Sequence, residues 1–416
     1  MSKLERIVII HDSNDARGGA TGLARLSAQQ YRAMGYDVVF ITGATDDGSL
    51  NSAGVETVGM NQKKLLAQGK MEALINGMHN RRAASIVSDW ISQNDSPQTG
   101  YHLHNWAQAL SPSIFSALEP VAARTIVSCH DYFNICPNGG LLDYKSSQPC
   151  TLKPMSSACW LSQCDRRSSL QKYWRMLRQI NLNRLAQFRQ SKMTFVTLHE
   201  GMSDLMRSIG FGARSLTSNP NPATAWTDQR VACEANESFL YVGRLERDKG
   251  ADIAVQGAKN AGVPITLVGE GGLEHELKAT YHAARFAGFC DKAEIGKIAQ
   301  KARALIVPSR VPEPYGLVVA EAALSGIPVL IAQHCLLSKS ICDRDMGDSF
   351  DPNQLDTLKQ RIAMWASDDD LIKSMSENAR AHASVICSTP DQWINRFIAI
   401  LQQKLQAKDS KEGERT

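Results

Sequence analysis

Crossing a bilayer takes an unbroken apolar run of about 20 residues, and this chain has none. The opening, MSKLERIVIIHDSND, holds only a short apolar run, interrupted by His11 and Asp12, with no small-residue cleavage site after it. It reads as a first buried strand and not as a signal peptide. On that reading the protein is cytoplasmic and its ten cysteines stay mostly reduced. A large excess of either charge is missing as well. A net charge of +4 gives no general attraction to nucleic acid, and no such partner is expected. Repeats and low-complexity segments are missing. The first glycine-bearing loop is not G-x-G-x-x-G, which argues against a nicotinamide dinucleotide.

With 416 residues, two domains are expected. In the first half, RIVII (6–10) is followed by the loop HDSNDARGGATG, a helical segment LARLSAQQYRAMG and then VVFITG. This is a βαβ unit with strands buried on both faces. Further strands are expected at ASIVSD (84–89), YHLHN (101–105), TIVSCH (125–130) and MTFVTL (193–198). The polar stretch NPNPATAWTDQRVACEANE reads as a linker. After it come FLYVGR (239–244), a helix from about 251, PITLVG (264–269), ALIVPS (304–309), a helix from about 316, and PVLIA (328–332). The expected fold is α/β, with two Rossmann-like, doubly wound parallel-sheet domains facing across a cleft. Residues 1–225 would form the first domain, with a Cys-rich insert near 129–165 and a basic helix near 166–192. Residues 226–388 would form the second, 389–404 a helix packing back on the first domain, and 405–416 a flexible tail.

Open α/β sheets bind ligands beyond the carboxyl ends of their strands. Three loops there carry unusual residues. In VGRLERDKG (242–250), Arg244 and Lys249 suit a pyrophosphate, Arg as a planar fork and Lys as a point charge. A solvated turn with Glu246 and Asp248 as local partners reads equally well. In VPEPYGLVVAE (311–321), a helix starting near Tyr315–Gly316 would turn its first N–H groups toward an anion. Glu313 and Glu321 would then accept from hydroxyls on either side, so a ligand with a central diphosphate and a polyol at each end fits. Capping acids at a helix entrance are the alternative. Gly18 and Gly19, after the first strand, allow close approach of backbone to a phosphate or sugar, as an ordinary turn also would.

Taken in order, GRLERDKG, LVGEGGLEHEL and PSRVPEPYGLVVAEAALSGIPVL resemble glycosyltransferase family 4, retaining nucleotide-sugar transferases of GT-B architecture, along nearly the whole chain. The resemblance implies that Arg244 and Lys249 neutralise a donor diphosphate, Glu313 contacts the transferred sugar and Glu321 the ribose. Backbone at Gly316 and Leu317 would meet phosphate or sugar, and the Gly18–Gly19 loop would close over the donor. His130, in SCHDYF, matches a histidine facing the reaction centre. Asp131 would orient it or contact the acceptor, and His104 and Asn105 in YHLHNW are acceptor-side candidates. The implied function is transfer of a hexose from a UDP- or GDP-linked donor to a glycan or lipid-linked acceptor in surface polysaccharide synthesis. No other cofactor is expected, and no D-x-D element stands where a metal would be needed. A nucleotide-sugar epimerase or glycosyl phosphorylase of the same fold remains open, as does a non-catalytic sugar-nucleotide or redox-sensing module.

Two segments stand apart from that pattern. Cys136, Cys150, Cys159 and Cys164 are spaced C-x13-C-x8-C-x4-C, either a zinc site without C-x2-C knuckles or a loop with buried thiols. Residues 165–192 carry eight Lys/Arg against one acid. Leu170, Tyr173, Trp174, Leu177, Ile180, Leu185 and Phe188 follow helical spacing there. Either the helix packs this stripe on the core with a solvated basic face, or it docks on an anionic membrane at the inner face.

Overall fold

The computed structural model describes residues 3–14 and 19–413. The chain divides into two compact units. The first contains residues 1–140, 152–219 and 390–416, and the second 141–151 and 220–389. The Cys-rich insert is thus divided, since Leu141–Thr151 groups with the second unit. It contains the hairpin Leu142–Asp143/Gln148–Pro149, and Asn353 Nδ2 donates to Gln148 Oε1 at 2.8 Å.

The first unit is built on seven strands: β1 (Arg6–His11), β2 (Asp37–Thr42), β3 (Glu56–Gly59), β4 (Thr99–Leu103), β5 (Thr125–Ser128), β6 (Thr194–Thr197) and β7 (Leu216–Ser218). They pair in the order β3-β2-β1-β4-β5-β6-β7, all parallel. Ile7, Val8, Ile9 and Ile10 of β1 are wholly buried, as covering both faces of a parallel sheet demands. The order reverses between β1 and β4, so their carboxyl ends flank a switch point. Helix α1 (Gly19–Ala33) follows β1 and buries Leu23, Ala24, Ser27, Ala28 and Tyr31.

Helices α2 (Lys70–Met78) and α3 (Arg81–Asn94) precede β4. The strand expected at ASIVSD is instead the middle of α3. Its buried residues Ala83, Val87 and Ile91 recur every fourth position, a helical period, and Asn80 caps it by accepting from Ala83 N–H at 3.0 Å. Helix α4 (Ser169–Ala186) is the basic helix. It buries Lys172, Met176, Arg178, Gln179 and Leu182, while Leu170, Tyr173, Leu177 and Ile180 face solvent. Core packing of the apolar stripe therefore holds for Phe188 alone among the fully buried residues. Lys172 turns inward to donate to Ser162 Oγ at 2.6 Å and to the carbonyls of Cys159 and Ser162.

The helix Pro390–Gly413 belongs to the first unit and buries Trp393, Ile394, Phe397, Leu401 and Leu405. Helical backbone runs to Gly413, so the stretch expected as a flexible tail from 405 is largely helix, its start fixed by buried Leu405. Among the described residues no helix is long and apolar enough to cross a membrane.

The second unit repeats the plan with β8 (Ser238–Val242), β9 (Ile265–Val268), β10 (Ala284–Phe286), β11 (Ala302–Val307), β12 (Val329–Ala332) and β13 (Gly347–Phe350). Their order is β10-β9-β8-β11-β12-β13, again all parallel, with the switch point between β8 and β11. Helix α5 (Ala251–Ala261) follows β8 and α6 (Leu317–Leu324) follows β11.

Candidate functional site

In the second unit, the loops leaving β8 and β11 interlock. Gly250 sits at φ +71°, and a Cβ there would lie 1.9 Å from the Pro308 carbonyl oxygen, so only glycine allows the two loops to meet. That contact seats Lys249 beside the β11 loop. Its Nζ lies 2.5 Å from Glu313 Oε1, with side chains 29% and 15% exposed. Ser309 Oγ donates to the same carboxylate oxygen at 2.8 Å. Arg244 is more open, 60% exposed, and pairs with Asp248 Oδ2 at 3.2 Å. Tyr315, just ahead of α6, is buried, and its hydroxyl lies 2.9 and 2.7 Å from the carbonyls of Asn221 and Ile386, sharing its one proton between them.

Gly316, at φ +85°, is the N-cap of α6, and Leu317 is its first helical residue. Glu321 lies one turn along, half-buried. Burial pushes its carboxyl up to about 7, against the pull of Lys292 and a hydrogen bond with the Trp226 side chain. A purely solvated acid would not shift this way. Lys249 and Glu313 are therefore held together as partners, and Arg244 and Glu321 have other partners.

In the first unit, four histidines gather at the carboxyl ends of β1, β4 and β5. His102 and His104 are two apart, so their rings share one face of the chain, with centroids 4.0 Å apart. His104 Nδ1 lies 2.8 Å from His130 Nε2, and its Nε2 lies 3.3 Å from Ser27 Oγ. The proton positions follow from Ser27, which donates its only hydroxyl proton to the Ala24 carbonyl at 2.7 Å. Toward His104 it must accept. His104 thus carries its proton on Nε2 and offers Nδ1 as a lone pair, and His130 Nε2–H donates to it. His130 Nδ1 is left as a base.

Burial keeps these rings neutral. It lowers His130 to about 4 and His11 to about 3, with His130 and Lys64 adding to the latter. His102 and His104 are also held well below the usual histidine range, first by burial and then by neighbouring rings.

Asn105 follows β4 and its N–H donates to His11 Nδ1 at 3.2 Å. Asp131 accepts from Phe133 N–H at 2.9 Å, and burial raises it to about 6. Gly19 begins α1; Gly18 lies outside the described residues.

The sequence reading passed over several members of these clusters. Asp12 is buried and accepts from the N–H groups of Gln108, Ala109 and Leu110 at 2.7, 2.7 and 2.9 Å. His11 and Asp12 were visible only as interruptions of an apolar run. His102 could have been found from the two-residue spacing in YHLH, and Ser309 from its place beside the glutamate in PSRVPE.

Among the described residues no group of three or more His, Cys, Asp or Glu is placed to hold a metal ion. Cys136, Cys159 and Cys164 are buried as free thiols. Cys136 donates to Asn138 Oδ1 at 3.1 Å, and Asn138 Nδ2 lies 3.5 Å from the Cys164 sulfur.

Residues 225–382 match the family described as glycosyl transferases group 1. A glycogen synthase of Mycobacterium tuberculosis is 31% identical over 153 residues, 34% of this chain and 37% of that protein. The chain spans only about two fifths of the curated relatives it matches, 37% to 41% for this synthase and an uncharacterized glycosyltransferase of Methanocaldococcus jannaschii. Sucrose-phosphate synthase from Thermosynechococcus elongatus superposes with a TM-score of 0.71 at 15% identity, over 97% of this chain and all of that one. Anabaena HepE, solved with UDP, gives 0.62 at 16% identity over 98% of this chain and all of that one, and has also been solved with UDP-glucose. Residues 225–382 thus resemble the group 1 glycosyl transferases, and the chain has the two-sheet α/β fold of the GT-B glycosyltransferases.

Proposed function

We propose that the chain transfers a hexose from a nucleoside-diphosphate sugar to a hydroxyl of a glycan or lipid-linked acceptor, with retention of configuration. The observation that carries this reading is the interlocked pair of strand-end loops inside the group 1 domain, which holds Lys249, Ser309 and Glu313 within hydrogen-bonding reach. The exposed Arg244 guanidinium is the first cation a diphosphate would meet, and Lys249 the second, turning from Glu313 toward phosphate oxygen. Glu313 then accepts from a sugar hydroxyl. Glu321 would take the ribose and is half protonated near neutrality.

In the reaction the bond from the anomeric carbon to the phosphate oxygen breaks and one to the acceptor oxygen forms on the same face. The acceptor proton goes to the departing phosphate oxygen. Stabilising the developing charge on the diphosphate is the main electrostatic task. His130, a neutral base with Nδ1 open, would orient a sugar or acceptor hydroxyl by accepting from it.

UDP- and GDP-sugars should be screened by thermal shift, and release of nucleoside diphosphate from the stabilising donor measured with a bacterial lipid extract as acceptor. A stabilising donor should exist, and release should depend on the acceptor. Glu313→Gln should cut turnover by about 100-fold or more while leaving the melting temperature nearly unchanged. Near-normal turnover in that variant, or no donor that binds, overturns the reading.

A further inference from the structure

Helices α2 and α4 of the first unit turn an apolar face to solvent. On α4, Leu170, Tyr173, Leu177 and Ile180 are 80, 41, 52 and 47% exposed. Their spacing of three and four puts them on one stripe. Helix α2 and the turn before it add Leu66, Met71, Leu74 and Ile75, at 76, 70, 39 and 63%. Scattered single apolar residues would need no explanation, but eight large ones on two adjoining helices and the turn before one of them do.

The face is fixed in shape. The carbonyls of Leu74, Gly77 and Met78, at the end of α2, accept from Trp174 Nε1, Arg178 Nε and Asn181 Nδ2 of α4 at 3.3, 2.7 and 2.8 Å. The Gly77 and Met78 carbonyls are among those a helix end leaves without intrahelical partners. Gly77 lets the Trp174 ring come close, since a Cβ there would lie 2.6 Å from it. A groove of about 1340 Å³ adjoins the pair, lined by Leu74, Ile75, Arg81, Arg82, Trp174 and Leu177 among others.

Charge identifies the occupant. Over residues 61–82 and 161–184, eight Lys/Arg are exposed, among them Lys63, Lys70, Arg81, Arg82, Arg166 and Arg167, against one exposed acid, Glu72. A second copy of the same face would meet it with the same sign of charge and be repelled. An anionic, apolar-cored surface satisfies both features at once. Trp160 stacks on Tyr173 with centroids 6.3 Å apart, giving the amphipathic aromatic pair favoured at the level of lipid headgroups. We propose that the α2–α4 face docks the first unit on an anionic lipid bilayer, both helices lying in the plane of the interface. The proposal stands apart from glycosyl transfer and would hold for any chemistry in the second unit.

Vesicle co-sedimentation of the full chain tests it, with phosphatidylcholine vesicles made with and without phosphatidylglycerol. Binding should require phosphatidylglycerol and weaken as salt screens the cations. The double variant Ile75→Glu/Leu177→Glu places charge on two exposed positions, so its melting temperature and donor thermal shift should match wild type. Its vesicle affinity should fall by about tenfold or more. Three results would each overturn the proposal: no binding to phosphatidylglycerol vesicles at low salt, binding that the double variant leaves intact, or a solution dimer that the double variant disperses.

Discussion

At the scale of single residues, the proton on His130 is governed by a hydroxyl that sits two steps away. Ser27 commits its proton to Ala24, His104 answers with its Nδ1 lone pair, and His130 must donate from Nε2. Removing His104 frees His130 to adopt the other tautomer and to turn. His104→Ala should therefore lower turnover by about tenfold, in the range of a lost orienting contact. His104→Asn places an amide oxygen near the former Nδ1 and should restore most of it. Equal loss in both variants would mean that His104 serves only to fill space. His104 and His130 could be named from YHLHNW and SCHDYF because they end apolar strands. Ser27 could not, since a serine inside a helical segment looks like any other until the fold brings His104 against it. Lys249 and Glu313 were each expected to contact a ligand, yet nothing in a sequence pairs two charges 64 positions apart.

At the scale of elements, the interlock of the β8 and β11 loops is the feature most exposed to a single change. Gly250→Ala would drive a methyl into the Pro308 carbonyl at a positive φ. It should destabilise the second unit by about 2–4 kcal/mol, read as a lower denaturant midpoint, and weaken donor binding because Lys249 moves. A variant as stable as wild type would mean that the loops part freely.

The strands themselves were largely legible, since parallel strands buried on both faces leave continuous apolar runs. ASIVSD was misread because a six-residue window cannot separate a short buried strand from a piece of a helix. Val87 within it, with Ala83 and Ile91 on either side, decides it. In α4 the stripe was visible, but which way it faced was not. Helices usually turn apolar residues inward, and here Lys172, Arg178 and Gln179 are inside because carbonyls await them.

At the scale of the molecule, the buried histidines set the response to acid. His11 and His130 titrate near 3 and 4 in the folded state, and His102 and His104 also lie below their unfolded value of 6.5. As pH falls from 6.5 the unfolded chain takes up these four protons first, so stability is lost. Asp12 and Asp131 act oppositely, being raised above 3.8, Asp131 to about 6. In this window Asp131 binds its proton in the folded state, which does not offset four histidines. The first unit's melting temperature should climb between pH ~4 and ~6.5 and then level off. A flat or falling calorimetric profile there would contradict the neutral histidine cluster.

Two doubly wound sheets could be anticipated from the order of apolar runs. The splitting of the Cys-rich insert between the two units could not, because it depends on contacts such as Gln148 with Asn353.

One side chain limits how this architecture could be reused. The Arg178 guanidinium fastens α4 to α2 through Gly77, reaches the Ala107 carbonyl at 2.7 Å, and lies over the rings of Trp106 and Trp174. Burial lowers it to about 10, and the charges of Asp12 and Asp131 sustain its ionised form. The α2–α4 pair is consequently not a portable cassette. Transplanted onto another scaffold without those two aspartates, it would carry an uncompensated buried cation at its seam and come apart there.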